Sequence, residues 1–168
     1  DKGVALGRLD GRFTGEEIDA FSDGPHLGDP ASYQISGAYT AALNHYLRTD
    51  LQVKMDRPYL TSNSAIGGKW NWRPVPEGSY WEPEHVNVAP QLGETMRRNP
   101  QMRVLVANGY YDLICPFFDS EYTYARNGID TDKIQMTYYE AGHMMYTHHE
   151  DYLKLARDIR TFMTSTAE

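Results

Sequence analysis

The run Met102-Arg103-Val104-Leu105-Val106-Ala107, stopped by Asn108-Gly109, is apolar over the length of a strand and does not alternate. That pattern predicts a strand buried on both faces of a parallel sheet. A parallel partner requires a crossover of about a dozen residues or more, and the chain supplies one. Pro116 to Arg126 suits a helix with proline in its first turn. Ile134 to Tyr139 reads as the second strand, followed by a turn at Ala141-Gly142. On either side lie two more helices: Ala89 to Arg98, with Leu92 and Met96 inward and Asn99-Pro100 ending it, and His148 to Met163, whose apolar face includes Leu155, Ile159 and Phe162. Helix, strand, helix, strand, helix is a βαβ unit with flanking helices, so the expected class is α/β.

Upstream the texture differs. Gly7 to Tyr33 is dense in Gly, Asp and Pro without a sustained period, which predicts a long loop. Ile35 to Leu51 has helical spacing through Ile35, Ala38, Tyr39, Ala42, Leu43, Tyr46 and Leu47, with Asp29 to Ser32 offering caps. From Arg57 to Val88, prolines, Gly67-Gly68 and the Trp70-Asn71-Trp72 cluster deny regular structure over most of the stretch. The division expected is a cap or insertion segment over 1–88 and a core over 89–168.

Composition narrows the partners. A formal charge of -7, from 16 Lys+Arg against 23 Asp+Glu, offers no basic face for phosphates and argues against a nucleic-acid partner. No apolar run approaches the roughly 20 residues of a membrane span. Cys115 is the single cysteine, so no intrachain disulfide forms. The start at Asp1 has neither an initiator Met nor the basic segment and apolar core of a signal peptide, and it reads as a processed or excised end.

In a parallel sheet, functional side chains project from loops at the carboxyl ends of the strands. Asp112 follows the first strand and His143 the second. Adjacent strands bring those loops together, so Asp112 is positioned to accept a hydrogen bond from the His143 ring and to stabilise its imidazolium. The plainer readings are a turn-capping aspartate and a buried histidine satisfied by backbone. For Cys115 the plain reading is a small buried hydrophobe. His143, His148, His149 and Glu150 raise a metal site, but no His-Glu-x-x-His is present, and no metal or other cofactor is expected.

Residues 103–118 (RVLVANGYYDLICPFF) and 138–146 (YYEAGHMMY) resemble the acid and histidine motifs of serine carboxypeptidases, particularly their bacterial branch. Residues 7–15 (GRLDGRFTG), the Asp29-Pro30 helix start and the Trp70-Asn71-Trp72 cluster are similar to that branch too. The resemblance implies the C-terminal portion of an α/β-hydrolase that removes C-terminal amino acids from peptides through an acyl-enzyme, with Asp112 and His143 as catalytic acid and base. It also implies that Met144 lines the pocket for the leaving residue, that Cys115 lies at the substrate site, and that the protein is periplasmic or secreted.

The family's nucleophile motif, Gly-x-Ser-x-Gly, does not occur in these residues. Its nearest imitation, Ala20-Phe21-Ser22-Asp23-Gly24, is preceded by Glu16-Glu17 and followed by Pro25, which supply neither the strand nor the helix of a nucleophile elbow. The serine is therefore expected on an upstream polypeptide portion, which becomes the partner of this chain along with a peptide substrate. The rival reading is a non-catalytic binding module derived from an α/β-hydrolase.

Overall fold

A computed structural model describes residues 3–17, 27–67, 69 and 87–165. Ser22 and Trp70, Trp72, Tyr80 and Trp81 lie outside the described residues. The chain divides into two compact units, one made of residues 1–34 and 89–168 and the other of 35–88.

In the first unit, strand β3 (Val104–Gly109) pairs in parallel with β4 (Ile134–Tyr139), Val104 opposite Ile134 through Gly109 opposite Tyr139. The class is α/β. The strand begins two residues later than the apolar run suggested, because the Met102 amide closes a turn on the Asn99 carbonyl. It also runs two residues further, since Asn108 and Gly109 stay in the ladder. Beyond the strands, the Tyr110 and Tyr111 amides donate to the Tyr139 and Ala141 carbonyls, both at 3.0 Å. The two terminal loops are thus joined before any side chain is considered.

Helix α3 (Ala89–Arg98) precedes β3, α4 (Phe117–Tyr124) lies between the strands, and α5 (His149–Thr164) follows. Pro116 holds the extended φ of -56° and ψ of 137° ahead of α4, as a residue at a helix entrance does. Tyr139, Ala141 and Met145 form the buried cluster, with Leu155 of α5 packed against it. Arg103, just before β3, closes the far end of α5: its guanidinium donates to the Phe162 carbonyl at 2.7 Å and the Ser165 carbonyl at 2.6 Å, and lies over the Phe162 ring. A cation on carbonyls that end a helix satisfies orphan acceptors and the macrodipole together.

The segment 7–33, expected as loop throughout, contains part of a hairpin. Strands β1 (Val4–Leu6) and β2 (Thr14–Glu16) pair antiparallel, and at three residues each they are too short to show a period. The hairpin loop 7–13 is closed by the Gly7 amide on the Phe13 carbonyl at 2.9 Å.

Helix α1 (Pro30–Thr49) starts five residues before the first position of the apolar spacing. The reason is its cap: Asp29 Oδ1 accepts from the Ala31 amide at 2.9 Å, and Pro30 occupies the first helical position, where a missing N–H costs nothing. Residues 35–49 of α1 belong to the second unit, together with the four-residue α2 (Ser64–Gly67). There the Val53 amide returns to the Leu47 carbonyl after the helix end, and Asn44, Leu47, Arg48, Val53, Met55 and Tyr59 line a cavity of about 330 Å³. Among the described residues no helix is long and apolar enough to cross a membrane.

Candidate active site

The loop after β3 carries Asp112, and the loop after β4 carries His143. Their crossing leaves no room for side chains at two positions. A Cβ on Gly109 would lie 2.4 Å from the Gly142 carbonyl oxygen, and a Cβ on Gly142 would lie 2.4 Å from the Leu9 carbonyl oxygen. Glycine at both places lets three stretches of backbone meet.

Across this meeting, His143 Nδ1 lies 2.8 Å from Asp112 Oδ2. The carboxylate is buried, 5% exposed, whereas the ring is 43% exposed. Asp112 Oδ1 accepts from the Ile114 amide at 2.8 Å and the Cys115 amide at 2.9 Å. The turn-capping and histidine-orienting readings of Asp112 are therefore one arrangement: one oxygen holds the loop, and the other holds the ring. With Nδ1 as the donor to a carboxylate, the neutral ring keeps its lone pair on Nε2. Among the described residues Nε2 has no hydrogen-bond partner. The His143 ring is thus anchored at Nδ1 and, among the described residues, unbonded at Nε2.

Cys115 is exposed, which corrects the expectation of a small buried hydrophobe. The Asx turn on Asp112 presents it outward, and ligand atoms of Asp112, Cys115 and His143 all lie within 4.8 Å of one another. Partial burial pushes the Cys115 thiol up, and the neighbouring charges of Asp112 and Asp119 push it further, so the thiolate is disfavoured. Met144 is half-buried, next to His143 in the chain.

His148 Nδ1 contacts the buried Asp151 carboxylate at 2.7 Å, forming a second His–Asp pair at the entrance of α5. That contact gives His148 a carboxylate partner at Nδ1. Deeper in, Tyr139 is 1% exposed and donates to Asp158 Oδ2 at 2.8 Å. Burial first, and then the bond to Asp158, push its phenol up to about 12.

Asp10 and Arg12 of the hairpin loop 7–13 figure in the sequence only within the resemblance of residues 7–15, and sequence reasoning assigns them no role at the site. Asp10 is 2% exposed and accepts from Arg12 Nε at 3.0 Å and Arg12 Nη2 at 2.7 Å. Burial pushes the Asp10 carboxyl up, but the Arg12 guanidinium and the amides of Arg12 and Gly142 outweigh it and hold the group below the usual carboxylate range. Opposite charges flanking Gly11 in the loop GRLDGRF were the available signal. No protein-family profile, curated protein or solved structure matches the chain.

Proposed function

We propose that this chain carries the acid and base of a serine-type carboxypeptidase and is the C-terminal part of an α/β-hydrolase whose nucleophilic serine lies on an upstream portion. The observation that carries the reading is the 2.8 Å contact of His143 Nδ1 with the buried Asp112 carboxylate, made from the ends of adjacent parallel strands. The chain order, acid and then histidine after successive strands, is that of the α/β-hydrolases.

The free Nε2 of His143 takes the proton of the attacking serine hydroxyl and returns it to the departing amino acid, while Asp112 fixes the tautomer and stabilises the intervening imidazolium. Water then repeats the attack on the acyl-enzyme, with His143 again as base. Met144, next to His143 in the chain, would line the pocket for the leaving residue, and Cys115, whose sulfur lies within 4.8 Å of ligand atoms of Asp112 and His143, would lie at the substrate site.

The small buried cluster also supports a missing portion. Tyr139, Ala141 and Met145 are its members, whereas Leu113, Phe118 and Tyr122 are exposed, and among the described residues the sheet has two strands. Parallel sheets need cover on both faces and further strands at their edges. The deciding experiment is denaturing mass analysis of the native protein, followed by peptide hydrolysis with and without a serine-reactive phosphonate. A second polypeptide, or a longer chain, bearing a labelled serine is expected. Native protein with no reactive serine and no hydrolysis would leave the binding-module reading in its place.

A further inference from the structure

The hairpin loop 7–13 lies against both loops that carry Asp112 and His143, and it bonds to each. On the first side, the Leu113 amide donates to the Arg8 carbonyl at 3.0 Å, and the Gly11 amide donates to the Tyr111 carbonyl at 2.9 Å. On the second side, the His143 amide donates to the Leu9 carbonyl at 2.7 Å, the Gly142 amide to Asp10 Oδ2 at 3.1 Å, and Arg12 Nη1 to the Glu140 carbonyl at 2.6 Å. Arg12 also lies over the Tyr111 ring, 4.4 Å from its centroid, and the Tyr111 hydroxyl donates to Glu140 Oε2 at 3.2 Å.

Within this lacing one ion pair is central. A buried carboxylate is costly unless paired and fully hydrogen-bonded, and Asp10 is both. Its Oδ1 takes the Arg12 amide and Nε, each at 3.0 Å, and its Oδ2 takes Arg12 Nη2 and the Gly142 amide. A planar guanidinium spanning two oxygens fixes direction as well as distance. The fixed direction falls on Gly142, the residue before His143, where a Cβ would come 2.5 Å from the Asp10 Cβ. Backbone orientation at 142 and 143 sets where the imidazole leaves the chain, and Asp112 then holds only what arrives within reach.

We propose that Asp10 and Arg12 are positioning residues for His143, clamping its backbone so that its ring meets Asp112 in one orientation. The consequence for turnover rests on the carboxypeptidase reading. The consequence for the ring does not.

The test follows the Nδ1 proton of His143 by NMR in the native protein that contains these residues, with labelled histidine and Asp112→Ala, which removes the acceptor, as the reference for a broken ring contact. Asp10→Asn preserves shape and loses the two-oxygen ion pair. It is expected to speed solvent exchange of that proton by about tenfold or more, the scale of one charge-assisted hydrogen bond, with β3 and β4 amides still protected. Peptide hydrolysis should fall in kcat while KM stays within about twofold, as for a group that orients the base rather than binding substrate. Arg12→Lys retains the charge without the fork and should fall between wild type and Arg12→Ala. Exchange unchanged in Asp10→Asn with the strands protected overturns the proposal. If Asp10→Asn loses strand protection, Arg12→Lys decides on the same criterion. Loss of protection in both makes the pair a folding determinant and also overturns it. Wild-type protein without hydrolysis defeats the carboxypeptidase reading, while the exchange comparison still decides the clamp.

Discussion

Gly109, the last residue of β3, abuts Gly142 so closely that a Cβ on Gly109 would lie 2.4 Å from the Gly142 carbonyl oxygen and 2.5 Å from that of Ala141. The contact is backbone against backbone, so neither side can turn away as a flexible side chain would. Alanine at Gly109 must therefore separate the loops that hold Asp112 and His143, and alanine at Gly142 must separate the His143 loop from Leu9 and Asp10 of the hairpin. Gly109→Ala and Gly142→Ala are each expected to destabilise the fold by about 1–3 kcal/mol, the cost of forcing atoms into a filled site. Urea unfolding midpoints of the native protein measure this, and an unchanged midpoint for both variants would contradict the close approach.

A different effect is expected at the ring itself. On the carboxypeptidase proposal, Asp112→Asn should lower kcat for peptide hydrolysis by about 10⁴-fold, because the amide no longer selects the tautomer with a free Nε2. His143→Ala should cost at least as much, with the far-UV spectrum of the wild type retained. Near-normal turnover in a folded His143→Ala protein would remove His143 from the mechanism.

Tyr139 sets a limit at high pH. Its pKa rises from 10.0 to about 12 in the fold, so the folded state holds the phenolic proton more tightly than the unfolded state. The stabilisation is complete below 10.0 and is lost as pH rises through about 12. Tyr139→Phe, which has no proton to lose, should show a flatter decline of the unfolding midpoint across that window. Parallel declines in the two proteins would assign the alkaline loss elsewhere.

Cys115 should behave as an exposed but sluggish thiol. It is open to reagents, yet burial and the charges of Asp112 and Asp119 raise its pKa above 9.0. Modification rates at neutral pH should climb by about tenfold per pH unit, as the thiolate is the reacting form. On the carboxypeptidase proposal, a bulky adduct at this position should block hydrolysis, and Cys115→Ser should stay active and resist the reagent. Rates independent of pH between 7 and 9 would mark a thiol already ionised.

The parallel pair and its loops were legible because β3 is apolar without interruption and ends in Asn108-Gly109, a local signal that needs no distant information. Asp112 and His143 were legible for a related reason, since each follows its strand within a few residues and the pairing of the strands does the rest. Asp10 and Arg12 were not. Their partners Gly142 and Glu140 lie more than a hundred residues away, and a hairpin of three-residue strands leaves no periodicity to announce it. The exposure of Cys115 was equally hidden, because it depends on the two amides that Asp112 Oδ1 gathers.

Asp29 does more than begin a helix. One of its oxygens caps α1 at Ala31, and the other accepts the Arg8 and Leu9 amides at 2.8 and 3.2 Å. Leu9 in turn receives the His143 amide on its carbonyl. The first turn of α1 and the backbone of His143 are therefore linked in series through Asp29 and Leu9. Asp29 thereby reaches the backbone of His143 through Leu9, without touching its ring.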